Sequence, residues 1–295
     1  MGRMKSLFRK NKAVKAAEKN AERSAENTQT SAKKGKMRNY TLLVEDVFET
    51  NRLQGVMVVG NLYGKIKQGD TMYLYQPEKP VKEVHVKTIE LGPRDEVFSA
   101  KNQQVGLCLD LESVDEVSKY AVLSNIRPAV GQIAERIVVN PRFLGLTMEY
   151  RRLYTNSTYM DELLAELCRS RFLMPLYIGQ PPVPQADGSF AFASDAQVGF
   201  HSLKKWDDES QTVFPAFTDE LATLNWKDAF EEGQPRRFGA MYLPKVIEFV
   251  EKGHAGLVIN PFGPVSVFFP AELLAQVKES EFYKKMFAKP NENQN

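Results

Sequence analysis

The chain has 295 residues, of which 43% are hydrophobic and 26% are charged, and its formal net charge is +2. These values are ordinary for a globular protein, and the length suggests about two domains of roughly 150 residues each. No apolar run approaches the ~20 residues of a membrane-spanning helix, and no apolar core of a secretory signal follows the basic N-terminus. We therefore expect a cytoplasmic protein.

The first segment, residues 1–38, has 12 Lys and Arg against 3 Glu, a net charge of +9, which leaves −7 for residues 39–295. Few large apolar residues follow Phe8, so we expect a disordered or transiently helical arm. Basic arms of this kind often contact nucleic acid or anionic lipid. A solvated solubility tail is an equal alternative. The candidate contact residues of the arm are Arg3, Lys5, Arg9, Lys10, Lys12, Lys33, Lys34 and Lys36.

The second segment, residues 39–125, shows short runs in which apolar and polar residues alternate, separated by Gly, Pro and Asp. Gly55, Gly60, Gly64 and Gly69 punctuate one such run, and glycine at this spacing allows strands to coil and turn corners. Several short strands with regular turn signals favour a sandwich or barrel. The segment is thus predicted to be a small all-β domain.

Three stretches of this segment carry a resemblance: 40–48, 55–70 and 105–111. Together they resemble the second domain of elongation factor Tu and other translational GTPases, which implies a β-barrel. In that family the domain contacts ribosomal RNA, and in elongation factor Tu also the end of aminoacyl-tRNA. Residues 51–55 stand where the family usually has an Arg-Gly pair, so Arg52 is the candidate RNA contact here.

Turn residues at 127–131 mark a boundary, so residues 126–139 are predicted to be a connector and residues 140–290 a second domain. Helix signals now alternate with apolar strands, which predicts an α/β (α+β) fold. Each of the two domains is expected to bury its own core. The expected elements are a helix over 159–169 capped by Thr158, strands over 171–178, 213–217, 255–261 and 265–269, a hairpin tip at 187–188, and helices from Thr218, over 244–251 and over 271–287.

The stretches 160–175, 214–219 and 256–263 follow one another in an order that resembles the SseB N-terminal domain family. The resemblance spans roughly residues 140–287. It implies an α/β domain, and it supplies no catalytic residues that can be transferred to this chain. The overall prediction is therefore multidomain: a disordered basic arm, a translation-factor-like β-barrel and an SseB-like α/β domain.

The chemistry-bearing residues do not form a recognisable catalytic set. A phosphate-binding loop would need Gly-x4-Gly-Lys-Ser/Thr, and the stretch 60–66 is one residue short and lacks the hydroxyl. His85, His201 and His254 have no zinc-ligand spacing, and Cys108 and Cys168 sit among leucines as small buried hydrophobes. We expect no catalytic residues, no metal, no cofactor and no nucleotide binding. A histidine general base near Cys168 stays open, although such a Cys is a poor nucleophile.

Two turn-like stretches, 217–218 and 260–263, have two interpretations. They could form a binding site, or they could serve only as turn and helix-cap chemistry, and the second interpretation is favoured. Phe262, Phe268 and Phe269 are likewise expected in a core rather than in an exposed patch.

The preferred function is that of a non-enzymatic interaction or adaptor protein with an unknown protein partner, with the arm as the part that would reach RNA or the ribosome. The first alternative is an enzyme that uses a cleft between the domains. The second is a membrane-surface protein held by Met4, Leu7, Phe8 and the basic residues of the arm. A cluster of exposed titratable groups in the cleft would favour the enzyme, and an apolar patch would favour the adaptor.

Overall fold

The computed structural model describes residues 40–50, 52–129, 137–178, 183–184, 190–191, 198–226 and 237–287. The basic arm lies outside this range, and so do its predicted structure and its eight candidate contact residues. The predicted hairpin tip at 187–188 also lies outside it, although the strands on either side of it are described.

Ten strands make up the first half of the described chain. Six of them close a ring in the order β1-β10-β5-β6-β9-β3, because β3 pairs with β1, and β2 extends the sheet beyond β3. The predicted barrel is confirmed. The strands are β1 Thr41–Leu43, β2 Asp46–Thr50, β3 Gly55–Tyr63, β4 Lys65–Lys67, β5 Thr71–Tyr75, β6 Lys82–Glu90, β7 Glu96–Val97, β8 Ser99–Lys101, β9 Gln104–Leu109 and β10 Val122–Ser124.

Glycines make the barrel geometry possible at two kinds of position. Gly64 and Gly69 have φ of 104° and 86°, which an L side chain rarely adopts, at the turns before and after β4. At Gly60 the backbones approach so closely that a Cβ would lie 2.0 Å from the carbonyl oxygen of Leu43. The barrel interior is filled by a cluster of buried aliphatic side chains such as Val58 and Leu107.

The second half mixes helices and strands, as predicted. Its helices are α1 Pro141–Met148, α2 Tyr150–Leu153, α3 Ser157–Arg169, α4 Glu220–Thr223, α5 Leu243–Val250, α6 Ala271–Lys278 and α7 Glu281–Phe287. Its strands are β11 Arg171–Ile178, β12 Val183–Pro184, β13 Phe190–Ala191, β14 Val198–Phe200, β15 Leu203–Lys205, β16 Asp208–Ala216, β17 Phe238–Tyr242, β18 Gly256–Ile259 and β19 Val267–Pro270.

Three sheets organise these strands, and the smallest is the β12-β13 pair. The two larger sheets form the framework of this half. One has the order β15-β16-β18-β19, with β16 and β18 parallel and the other pairs antiparallel. The other has the order β14-β11-β17 and is antiparallel. An isolated bridge between Leu173 and Phe217 brings the end of β16 to β11. The ends of β16 and β18 therefore lie side by side, which places their following loops together.

Two predicted helix caps and one predicted helix differ from the structure, and α5 lies one residue earlier than predicted. Asn156, not Thr158, caps α3, because its side chain accepts from the backbone amide of Tyr159. Asp219, not Thr218, caps α4 through the amide of Ala222. The helix expected over 271–287 is broken, because the Ser280 hydroxyl donates to a carbonyl of α6 and accepts from an amide of α7.

The two halves do not have wholly separate cores. The α/β core includes four residues on the outside of the barrel: Leu43, Tyr75, Tyr120 and Val122. They pack in one cluster with side chains of α1, α3 and the second-half sheets. The barrel therefore has a core of its own, but the α/β half completes its core on the barrel's outer surface.

Candidate functional site

Helix α1 forms the seam between the halves. Gly145 lies against Val122 of β10, where a Cβ at Gly145 would be 2.6 Å from Val122 Cγ1. The rings of Tyr120 and Tyr159 meet edge to face at 5.8 Å, and the hydroxyl of Tyr159 donates to the carbonyl of Leu146. The close approach of Gly145 to Val122 and the packing of the two tyrosine rings together fix α1 against the barrel.

An ion-pair relay, of which only Glu149 is buried, also crosses the seam. Arg152 of α2 donates to Glu149 at 2.7 Å and to Glu45 of the barrel at 2.6 Å. Glu149 is 1% exposed. Burial of Tyr63 and, to a lesser degree, the charge of Glu149 raise the pKa of Tyr63, which keeps that phenol protonated. The relay thus joins α2 to the barrel wall beside α1.

A hydrogen-bonded clasp joins the loops that follow β16 and β18. The Asn260 Oδ1 atom accepts from the backbone amide of Thr218 at 2.9 Å, and Asn260 Nδ2 lies 2.9 Å from Thr218 Oγ1. Asn140, just before α1, donates its side-chain amide to the carbonyls of Thr218 and Arg171 at 2.8 and 2.6 Å. Thr218 and Asn260 are 0% and 5% exposed. The two turn-like stretches singled out in the sequence therefore meet, and the clasp between them is structural.

Three large apolar side chains are exposed on the segments that the clasp joins. Leu221 and Leu224 belong to α4 and the turn after it, Phe262 follows Asn260, and their exposed fractions are 63%, 57% and 55%. The indole of Trp226 lies 6.3 Å from the Phe262 ring and is itself buried. We call Leu221, Leu224 and Phe262 the apolar loop surface. Phe262 was expected in a core and is exposed, whereas Phe269 is buried as predicted.

The backbone beneath the apolar loop surface is strained. Asn260 and Phe262 have φ of 49° and 64°, in the left-handed region that costs a bulky residue free energy. The bonds from Asn260 to Thr218 and from Gly263 to the Asn260 carbonyl, at 3.0 Å, hold this conformation. The loop is thus held in a conformation that directs the Phe262 ring to solvent.

An open cleft of about 340 Å³ lies between the halves beside the start of α1. Its charged lining residues are Arg142, Arg169, Arg171 and Glu166. Arg142 is 4% exposed and donates to Glu162 and Glu166, both at 2.5 Å. None of the three histidines lines this cleft in the described part of the chain.

The predicted nucleic-acid contact on the barrel is occupied. Arg52 pairs with Glu90 and Glu96 on the barrel surface. A phosphate would have to compete with two carboxylates for this guanidinium. Within the described residues, Arg52 thus belongs to a surface ion-pair cluster.

The three histidines considered in the sequence analysis pack against or bond neighbouring side chains. His85 projects outward from the barrel, as its alternation with Val84 predicted, and bonds Asp110 at 2.8 Å. His254 stacks on Phe214 and bonds the hydroxyl of Thr212, and burial lowers its pKa, as it does that of His201.

Both cysteines are buried, and burial raises the pKa of Cys168 to about 12, which keeps its thiol protonated at neutral pH. Among the described residues, no three His, Cys, Asp or Glu side chains are arranged so that they could hold a metal ion. Over the same residues no helix combines the length and the apolarity that crossing a membrane requires.

Sequence reasoning missed Asn140, Arg142 and Gly145. Asn140-Pro141 is a helix-start signature, with a capping-type residue before a Pro at the first helical position, and it could have revealed α1. The burial of Arg142 and the contact of Gly145 had no comparable signal, because both depend on which surface covers the helix.

Residues 148–276 match the family model of the SseB protein N-terminal domain. The match begins at the last residue of α1 and ends within α6, so it covers most of the α/β half, including Thr218, Asn260 and the apolar loop surface, but not α7 or the body of α1. The resemblance seen in the three sequence motifs is confirmed. A comparison with curated proteins found no match.

Proposed function

We propose that this chain is a non-enzymatic interaction protein, an adaptor, that binds a protein partner through the apolar loop surface. The observation that carries the proposal is the exposure of Leu221, Leu224 and Phe262 above a loop that the Thr218–Asn260 clasp holds in place. A grouped set of exposed large apolar side chains is typical of an interaction site. A rigid presentation favours binding, because less conformational entropy is lost on association.

The chemistry of the apolar loop surface defines the partner class. Leucine and phenylalanine side chains take up apolar side chains of a partner, and Glu220, exposed at the start of α4, favours a basic residue at the rim. The partner is therefore a protein with an apolar segment that is flanked by Lys or Arg.

The enzyme alternative is supported less well. The cleft does hold charged groups, but its Arg142 donates to both Glu162 and Glu166 at 2.5 Å. An ion-pair arrangement of this kind fixes structure, whereas a general acid or base needs a group free to exchange a proton with substrate.

The adaptor proposal is tested by affinity purification from native cells after chemical crosslinking. The double variant Leu221→Asp/Phe262→Asp should lose at least 90% of the proteins that copurify specifically with the wild type. Phe98→Asp is the matched control, because Phe98 is 68% exposed on the barrel and lies outside the loop surface. An unchanged set of copurifying proteins in the double variant would refute the proposal.

We propose in addition that the arm is the part of the chain that reaches RNA or the ribosome, supported by its net charge of +9. Such contacts release counterions, so binding to RNA should fall steeply between low and physiological salt. Deletion of residues 1–38 should abolish it, and nuclease treatment should remove the ribosomal proteins from the purification. Equal RNA binding by full-length and truncated chains at matched salt would assign the contact to the folded surface instead. Parallel assays with anionic vesicles distinguish a membrane surface from RNA.

A further inference from the structure

The cleft at the seam has contributions from both halves. Tyr75 comes from the barrel, the stretches 128–129 and 137–141 from the connector and the start of α1, and Tyr242 from the end of β17. A volume of about 340 Å³ lies within the range of small-molecule sites. Its walls combine apolar and aromatic side chains with a few charged groups, which is the usual composition of such sites.

Among the described residues that line the cleft, Arg169 has no carboxylate at hydrogen-bonding distance, and its guanidinium carbon lies 4.7 Å from the centre of the Phe282 ring. Arg142 forms ion pairs with both Glu162 and Glu166 at 2.5 Å. Arg169 then has Glu166 only at 3.8 Å and Glu78 at 3.6 Å, and Glu78 is 84% exposed. The Arg169 Nη1 atom is buried and makes no hydrogen bond within the described part of the chain. A buried guanidinium nitrogen without an acceptor is costly, and a bound anion is one established reason for such an atom.

The charge of the residues that line the cleft also favours an anionic ligand. The lining residues include three arginines and one glutamate, a formal charge of +2, while Glu162 and Glu78, which pair with Arg142 and Arg169, lie outside the lining. A cleft whose lining has a net charge, and whose walls have a low dielectric constant, concentrates ions of the opposite charge. Arg171 lies over the ring of Tyr242, with 5.6 Å from its guanidinium carbon to the ring centroid, so a second guanidinium is fixed at the cleft wall.

We propose that the cleft binds an anionic small molecule, with its carboxylate or phosphate head at Arg169 and its apolar body against Tyr75, Tyr242 and Val139. The planar guanidinium matches the geometry of both oxyanions. Because the wall includes barrel and α/β residues, the bound molecule would contact both halves at once. This activity is separate from the adaptor surface and does not depend on it.

Titration calorimetry on the full chain tests this inference with three probes of similar size: benzoate, phenyl phosphate and benzyl alcohol. We expect saturable binding of at least one of the two anions at constant ionic strength, and at least tenfold weaker binding of the uncharged alcohol. The preferred anion identifies the head group. Absence of saturable binding by both anions, or equal binding of the alcohol, would overturn the inference.

The affinities of substituted proteins test whether the anion binds in the cleft. Arg169→Gln should lower the affinity for the preferred anion at least tenfold, and Arg169→Lys should retain part of that affinity. Lys245→Gln is the control, because Lys245 is an exposed cation that pairs with Glu248 on α5 and lies outside the cleft lining. If Arg169→Gln does not fold cooperatively, Arg171→Gln takes its place with the same expectation. Equal affinity of these cleft variants and the wild type would overturn the inference, whereas Leu221→Asp/Phe262→Asp should bind the anion normally.

Discussion

Gly145 of α1 and Val122 of β10 lie so close that a Cβ at Gly145 would be 2.6 Å from Val122 Cγ1 and 2.7 Å from Cγ2. Val122 is fully buried and belongs to the core that the two halves share. The α/β half therefore rests on the barrel through a contact that only glycine permits at this position.

Replacing Gly145 with Ala should destabilise the protein by about 1–3 kcal/mol, because the added methyl group overpacks a rigid contact. The double variant Gly145→Ala/Val122→Ala should recover part of this loss, since the valine methyl groups that clash are removed. Urea unfolding of both single variants and the double variant measures the coupling. Gly92→Ala is the control, because no atom lies within 4 Å of a Cβ there. Strict additivity of the two single effects would contradict the contact.

The clasp predicts a stability loss at Asn260. Asn260→Ala should cost about 2–3 kcal/mol, because two hydrogen bonds to the buried Thr218 are lost and Ala tolerates a φ of 49° poorly. Asn260→Gly removes the same bonds but accepts that backbone, so it should cost less. Thermal unfolding of the two variants checks this order. A larger loss for Gly than for Ala would show that backbone strain is not a main term.

The ion pairs of Arg142 predict a loss of folding stability that depends on charge. Arg142→Met should destabilise the protein by about 3–5 kcal/mol, because the variant leaves Glu162 and Glu166 without their buried partner. Adding Glu162→Gln and Glu166→Gln to Arg142→Met should restore much of the stability. Denaturant unfolding at one pH compares the three proteins. Equal stability of the single and triple variants would mean that packing, and not charge, accounts for the loss.

The histidines predict a pH dependence. Burial lowers the pKa of His201 and His254 in the folded state, so the unfolded chain binds protons more tightly than the folded chain does. Their stabilising effect should be complete above the unfolded value of about 6.5 and should decrease as the pH falls through and below it. Melting temperatures from pH 8 to pH 5 should fall less steeply for His201→Gln/His254→Gln than for the wild type. Parallel curves would exclude these residues as the source.

The predictable part of the fold is the part that depends on local patterns. Alternation and the glycines at positions 64 and 69 predicted the barrel, and the apolar stripe of α3 and the run of β11 predicted both elements. The cap of α3 was misplaced because Asn156, Ser157 and Thr158 are all capping residue types, and only the geometry distinguishes them.

The site was less predictable, because it depends on contacts between segments far apart in the chain. Thr218 and Asn260 were recognised as turn chemistry, but their mutual bonds follow from the parallel pairing of β16 and β18. The shared core had one overlooked signal: β10 is buried on both faces, and the uninterrupted run 120–123 is apolar throughout. Nothing in a local pattern indicates that Arg142 is buried beside two carboxylates.

The most direct test of the adaptor proposal is site-specific photocrosslinking in native cells. A photoreactive phenylalanine analogue at Phe262 places the probe on the apolar loop surface, and the same analogue at Phe98 serves as the control on the barrel. We predict a discrete crosslinked protein species from position 262 that is absent from position 98 and disappears when Leu221→Asp is added. Crosslinks from position 262 that are no more specific than those from position 98, or that persist with Leu221→Asp, would contradict the proposal that this surface binds a partner.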